Sequence, residues 1–202
     1  MFIVVEGIEG SGKSTLVNEL ARTLRSDGHE VVTTREPGGT PLGNAVRQLF
    51  LTTSAAMTPL TEALLVNAAR AQHVSAVIGP ALSAGRTVVC DRFTDSTLAY
   101  QGYGRGLPLN DLQRLCDLAT GEVNPDLVLV LDVPVSVGRA RMRERAAAAD
   151  RIESEDDGFH ERVRQGFLEL AARPSHTLLD GTLPTAHLVE QAVRAAQALA
   201  TP

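Results

Sequence analysis

The chain has 202 residues, 44% of them hydrophobic, with a formal net charge of −5 from 24 acidic and 19 basic residues. That length suits one domain, or one domain with an inserted lid, and its apolar content suffices to bury roughly 70% of the unfolded surface, which excludes disorder as the main state. The acidic balance argues against nonspecific attachment to nucleic acid or anionic lipid, so any anionic ligand must be held by a local basic cluster.

The chain opens on an apolar run at residues 2–5 closed by Glu6 and a glycine-rich loop, without the basic region and long apolar stretch of an export signal. No run approaches the ~20 apolar residues that span a bilayer. Further short apolar runs lie at residues 30–34, 87–90, 127–132 and 176–180; three of the five are nearly continuous, and continuous runs suggest strands covered on both faces. Between them Leu16, Leu20 and Leu24 keep a helical spacing, as do Leu188, Ala192, Ala196 and Ala200 beside Val189 and Val193. Gly28 is placed to cap the first helix; Pro59 is expected to open a long helix to about Ile78, and Pro80 to end or kink it. Strand and helix alternate, which predicts an α/β fold with a parallel sheet between helices.

The segment 139–158 breaks the pattern with alternating arginines, a run of four alanines and a cluster of acids. It reads either as a lid or as a solvated helix followed by an acidic loop. Cys90 and Cys116 are isolated, which provides neither a disulfide framework nor a zinc site and suits a reducing cytoplasm.

The chemistry is written first in Gly7-Ile8-Glu9-Gly10-Ser11-Gly12-Lys13-Ser14, followed by Thr15, between the first strand and the first helix. This is the G-x-x-x-x-G-K-[ST] phosphate loop: glycines let successive N–H groups face a phosphate, Lys13 reaches the outer phosphates, and Ser14 can ligate Mg²⁺. Lys13 is the only lysine in the chain. A switch GTPase needs an N-K-x-D motif, which a chain without a second lysine cannot contain, and no LSGGQ signature is present. Kinases of small molecules remain, in which arginines close over the phosphates and exclude water.

Beside the phosphate loop stand Arg35-Glu36-Pro37-Gly38-Gly39-Thr40, Asp91-Arg92-Phe93, Ser96-Thr97-Leu98-Ala99-Tyr100-Gln101-Gly102 and Asp150-Arg151-Ile152-Glu153. In this order, over nearly the whole chain, they resemble the bacterial thymidylate kinases. The resemblance implies a single P-loop kinase domain with a five-stranded parallel sheet, a homodimer, Mg²⁺, and transfer of the γ-phosphoryl group of ATP to dTMP on the way to dTTP.

It also implies roles. Arg92 grips the acceptor phosphate, and Asp91 serves Mg²⁺ unless it is only a helix cap. Asp132, at the end of its strand, is a second metal candidate or a plain strand-end acid. Arg70 lies beside the pyrimidine, with Thr97 and Gln101 as polar contacts, Tyr100 on the deoxyribose, and Glu9 and Ser96 on the acceptor side. Family members commonly carry a stacking aromatic one turn before this arginine, where this chain has Val66. The phosphate loop holds no basic residue at its variable positions, so the missing charge is expected from the lid, at Arg143, Arg145 or Arg151. The rival readings are a kinase for another monophosphate and a nucleotide-dependent switch, which has no need of a second phosphate-binding arginine such as Arg92.

Overall fold

The computed structural model describes residues 1–52, 57–144 and 150–199. Five strands form one parallel sheet: β1 (Phe2–Gly7), β2 (Val31–Arg35), β3 (Thr87–Asp91), β4 (Leu127–Asp132) and β5 (His176–Asp180), in the order β2-β3-β1-β4-β5. Each expected apolar run is a strand. β1 runs on to Gly7 and β3 includes Asp91, so the phosphate loop and the Asp91-Arg92 pair leave adjacent strands at the carboxyl end of the sheet, with Val5 opposite Asp91.

Successive residues of a strand face opposite ways, and two apolar clusters follow that alternation. On one face Ile3, Val5, Val89, Leu129 and Leu131 meet Leu16, Leu20 and Leu24 of α1 (Lys13–Ser26) and Leu188, Ala192 and Ala196 of α9 (Thr185–Leu199). Ala200 lies outside the described residues. On the other face Phe2, Val4, Val88, Cys90, Val128 and Val130 meet Ala63 and Val66 of α3 (Pro59–His73), Leu112 of α6 (Leu109–Thr120), and Phe159, Val163 and Phe167 of α8 (Asp157–Leu170). Each buried Val, Leu, Ile or Phe among them contributes roughly 1.5–3 kcal/mol of transfer free energy, so this double cover is what fixes the central strands. α2 (Pro41–Thr52) packs on α3.

Thr58 caps α3 by accepting the Thr61 N–H, and Pro59 occupies the first turn. Of the two outcomes expected at Pro80, an end or a kink, the helix does not end there. It continues through a π-helical segment, Val74–Ile78, into α4 (Gly79–Ser83). In the wider turn the Gly79 N–H reaches the Val74 carbonyl, which puts Pro80 in the first turn of α4, where its missing N–H costs no bond. After β3 come α5 (Thr94–Thr97) and a second π-helical segment, Leu98–Gly104. The first part of the segment expected as a lid is helical, within α7 (Val135–Glu144); its last part is a turn leading to α8, capped by Asp156 on the Phe159 N–H.

Candidate active site

The phosphate loop has the backbone its sequence requires. Gly7, Gly10 and Gly12 have φ of 140°, 72° and 103°, and a methyl group on Gly7 would lie 2.5 Å from the Leu131 carbonyl oxygen. The loop therefore curls against β4 and delivers α1 with its N-terminus facing the cavity, a place of positive potential. Lys13 is 7% exposed, and its Nζ donates to the Ile8 carbonyl at 2.7 Å. Burial, with Arg92 nearby, pushes its ammonium down to about 8.

At the end of β3 Asp91 Oδ2 accepts a hydrogen bond from Ser14 Oγ at 2.6 Å. The next residue, Arg92, adopts a φ of 74°, a left-handed conformation uncommon for a residue with a side chain. That backbone turns its guanidinium back toward the phosphate loop, where it donates to the Gly7 carbonyl, Ser96 Oγ, Glu9 Oε1 and Tyr100 Oη at 2.7–3.1 Å. Burial alone would lower the Arg92 pKa, but Tyr100, Glu9, Asp91 and Glu6 hold it above its ordinary value. Glu9 is the mirror image: burial would raise it, yet Arg92, Lys13 and the Tyr100 hydroxyl keep it below the usual carboxylate range. Beneath this pair Glu6, fully buried, accepts the Phe93 and Ser96 N–H groups and the Ser96 hydroxyl, and burial with Asp95 nearby pushes it up to about 7.

The far end of the cavity is built on α3. Arg70, 2% exposed, donates to Glu36 Oε2 at 2.7 Å, Asn67 Oδ1 at 2.7 Å, Thr97 Oγ1 at 3.1 Å and the Phe93 carbonyl at 2.9 Å. A guanidinium has five N–H bonds, so this set leaves one on the Nη2 that meets Phe93. Glu36 also faces His73, whose other ring nitrogen meets Thr34. Gln101 Nε2 donates to buried Glu62. Val66, Phe50 and Leu51 form the apolar wall.

These two ends share one open cavity of about 450 Å³. Glu9, Gly10, Gly12, Lys13, Ser14 and Thr15 line it together with Arg70, Asp91, Arg92, Ser96, Thr97, Tyr100 and Gln101. Gly7, Ile8 and Ser11 stand behind that surface. Among the expected lid arginines, Arg143 is exposed and Arg151 is engaged by Glu62 at 2.5 Å and by the Phe50 carbonyl; neither lines the cavity. Arg145 lies outside the described residues. The arginine of α7 that reaches the phosphate loop is Arg141, which donates to the Gly10, Ser11 and Gly181 carbonyls and lines the cavity. Asp132 is held bidentate by Arg164 at 2.6 and 2.9 Å and does not line the cavity, because β4 ends behind the loop that covers it.

Sequence reasoning missed several members. Arg35 and Arg47 line the cavity near the phosphate loop, and Arg47 carries no signal in a sequence, being one arginine on a helix. Glu36 lies inside the motif Arg35-Glu36-Pro37-Gly38-Gly39-Thr40, which carries the family resemblance without a role for this acid. Glu62 sits in the first turn of α3, where an acid reads as dipole complement. Phe50 reads as a core aromatic of an amphipathic helix.

A family model described as thymidylate kinase matches residues 5–192. Curated relatives named thymidylate kinase include one from Geobacter sulfurreducens, 51% identical over 89% of this chain and 88% of that protein. Another, from Pseudomonas fluorescens (strain SBW25), is 52% identical over 96% of this chain and 93% of its own length. The crystal structure of thymidylate kinase from Ehrlichia chaffeensis matches with a TM-score of 0.77 and 35% identity, covering 98% of both chains. The chain belongs to the thymidylate kinase family, kinases that phosphorylate dTMP in dTTP synthesis.

Proposed function

We propose that the cavity joins ATP at the phosphate loop to dTMP at the α3 end, and that γ-phosphoryl transfer takes place between Lys13 and Arg92. The observation that carries this reading is the meeting of Ser14 with Asp91 at 2.6 Å, beside Lys13 and Arg92, in a cavity whose other end is Arg70.

The acceptor needs no general base. A phosphate monoester has a second pKa of ~6 and is already an oxyanion at neutral pH. The obstacle is repulsion between two polyanions, and the residues at hand answer it. The loop N–H groups and Lys13 hold the donor phosphates, Arg92 orients the acceptor phosphate, and Arg35, Arg47 and Arg141 add positive charge along the same cavity. Glu9 and Tyr100 fix Arg92 in place and offer a carboxylate and a ring to the deoxyribose, with Ser96 and Thr97 beside them.

The donor set at Ser14 and Asp91 fits Mg²⁺, which takes one or two protein oxygens and fills its shell with water and substrate phosphate. When bound, Mg²⁺ supplies charge neutralisation of the donor phosphates. Among the described residues there is no larger cluster of histidine, cysteine, aspartate and glutamate that could hold a metal instead.

The base end supports a pyrimidine: the N–H left on Arg70 Nη2 can donate to a ring carbonyl, and Thr97 and Gln101 flank it. The whole chain serves as one kinase domain, with 139–158 as its lid. For the homodimer the support is an exposed stripe of small and apolar residues on α3, Leu60, Leu64, Ala68 and Ala71, beside α6, whose Leu118 is 84% exposed. A cytoplasmic location is supported by two free buried cysteines, Cys90 and Cys116.

A coupled assay with ATP and a panel of nucleoside monophosphates tests the reading. ADP release with dTMP, and little with AMP, GMP or dCMP, is the expected result. Equal turnover across the panel would remove the base-end assignment.

A further inference from the structure

We propose that Glu62 is a positioning residue for base selection: it holds the Gln101 amide so that its carbonyl side faces the cavity, ready to accept the ring N–H of thymine. The proposal rests on the placement of the acceptor base beside Arg70 and Gln101 given above.

Glu62 lies in the first turn of α3 with its side chain 1% exposed, and three groups converge on it. Gln101 Nε2 donates to Oε2 at 3.1 Å, Arg105 reaches Oε1 at 3.1 Å and Oε2 at 3.3 Å, and Arg151 reaches Oε1 at 2.5 Å. With guanidinium N–H groups on both of its oxygens, the Glu62 carboxylate meets Gln101 as an acceptor. The edge of the Gln101 amide that faces it must therefore be the NH₂ edge. A flipped amide would set its oxygen against carboxylate oxygens inside a buried site, where the repulsion is strong.

The consequence lies on the other edge. With its NH₂ committed to Glu62, Gln101 offers an acceptor to the cavity, while Arg70 offers the donor left on Nη2. A donor beside an acceptor is the complement of a ring carbonyl beside a ring N–H, which is the pattern of thymine and uracil. Cytosine carries an amino group and an unprotonated ring nitrogen in those positions, so it would meet donor with donor and acceptor with acceptor. Such a mismatch in a buried site leaves both protein groups unpaired, which is the condition for strong rejection. Arg105 also binds Glu155 at 2.6 Å, so Glu62 is braced by the same arginines that hold the turn after residue 150.

The test compares kcat/KM for dTMP and dCMP, with ATP, in the wild-type enzyme, Glu62→Gln and Gln101→Ala. Glutamine at 62 has the same shape but can offer either edge of its own amide, so Gln101 is free to flip. Glu62→Gln should raise KM for dTMP and reduce dTMP-over-dCMP selectivity at least tenfold, with KM for ATP unchanged. A residue that merely braced the fold would move both substrates together. If Gln101→Ala loses selectivity and a folded Glu62→Gln keeps it, the role of Glu62 is wrong and the base pocket stands. If neither variant changes selectivity, both are wrong. Should Glu62→Gln fail to fold, the wild-type enzyme decides: the Gln101 side-chain NH₂ resonances, identified by their loss in Gln101→Ala, should hold their positions when dTMP binds. A large shift would mean that the NH₂ meets the base, and would overturn the proposal.

Discussion

Gly10 of the phosphate loop and Gly138 of α7 meet backbone to backbone: a methyl group on Gly10 would lie 2.2 Å from the Gly138 carbonyl oxygen, and one on Gly138 2.5 Å from that of Glu9. Only two residues without side chains allow this approach, and it decides which arginine of α7 serves the site. Arg141, three residues on from Gly138, shares its helix face and lands on the Gly10 and Ser11 carbonyls. Arg143 is turned to solvent.

Arg141→Ala should therefore reduce kcat by roughly 10³, the scale of an arginine that meets transferring phosphoryl charge, with little change in nucleotide Kd. Arg143→Ala should stay within about twofold of wild type, as for an exposed side chain. Single-turnover rates with both variants check this. Loss at Arg143 with none at Arg141 would return the role to the outer part of the lid. Gly138→Ala should mimic Arg141→Ala in rate, because the added methyl lifts α7 from the loop.

Lys13 gives a pH prediction. Its pKa is pushed down to about 8 by burial and by Arg92, so in the free enzyme the charge is present below that value and lost above it. Donor phosphates restore the charge, so nucleotide binding must take up a proton in alkaline solution. ATP affinity should fall as pH rises from 7 to 9, and calorimetry in buffers of different ionisation enthalpy should show the uptake. Lys13→Met should bind more weakly, without this pH dependence, and should have almost no turnover. A wild-type affinity flat across that range would contradict the buried ammonium.

Glu6 predicts a stability change of definite sign. Its carboxyl is raised from 4.5 to about 7 by burial and by Asp95, so the folded state keeps a proton that the unfolded chain has released between those values. Stability from this group is complete below about 4.5, is lost as pH rises through about 7, and is constant thereafter. Glu6→Gln keeps the shape without the charge. Denaturant unfolding at pH 4.5 and pH 8 should show the variant gaining on wild type as pH rises, by on the order of 3 kcal/mol from a shift of this size. No gain would mean that Glu6 is ionised in the fold, with Arg92 as its counter-charge.

The centre of the sheet was legible because β1, β3 and β4, buried on both faces, are written as continuous apolar runs, and 127–132 is the clearest of them. The phosphate loop was legible because glycine at 7, 10 and 12 and lysine at 13 have few other reasons to stand at that spacing. Pro80 could be read only as an end or a kink because proline breaks an α-helix, and nothing in the residues 74–78 announces the wider turn that accommodates it. The expectation falls on Arg143, Arg145 and Arg151, and not on Arg141, because the alternation of arginines offers two helix faces equally, and the contact that brings Arg141 to the loop is a glycine pair 128 residues apart in the chain. Glu62 and Glu36 were silent for a related reason: an acid on a helix or in a loop gains meaning only from the arginines that the fold brings to it.

Val66 leaves the base without the stacking ring expected one turn before Arg70, and Phe50 of α2 stands on the same cavity wall. The other two aromatic residues that line the cavity are Phe93, which packs edge-on against Phe2 with Arg70 over its ring, and Tyr100, which bonds to Glu9 through its hydroxyl with Arg92 over its face. Phe50 is 7% exposed, and its ring carries the Arg151 guanidinium 4.8 Å from its centroid. A ring offers a flat face to a planar base, where valine offers only apolar contact. Phe50→Ala should thus raise KM for dTMP about tenfold, the equivalent of ~1.4 kcal/mol, with KM for ATP unchanged, whereas Val66→Ala should change it less than about threefold. Cavity formation also lowers stability, so KM has to be measured well below each variant's melting temperature. Phe50→Leu combined with Val66→Phe should recover much of the lost affinity by moving the ring from α2 to α3. If that exchange recovers nothing while Phe50→Ala binds dTMP normally, the base is held by its polar edge alone, and Phe50 belongs to the core.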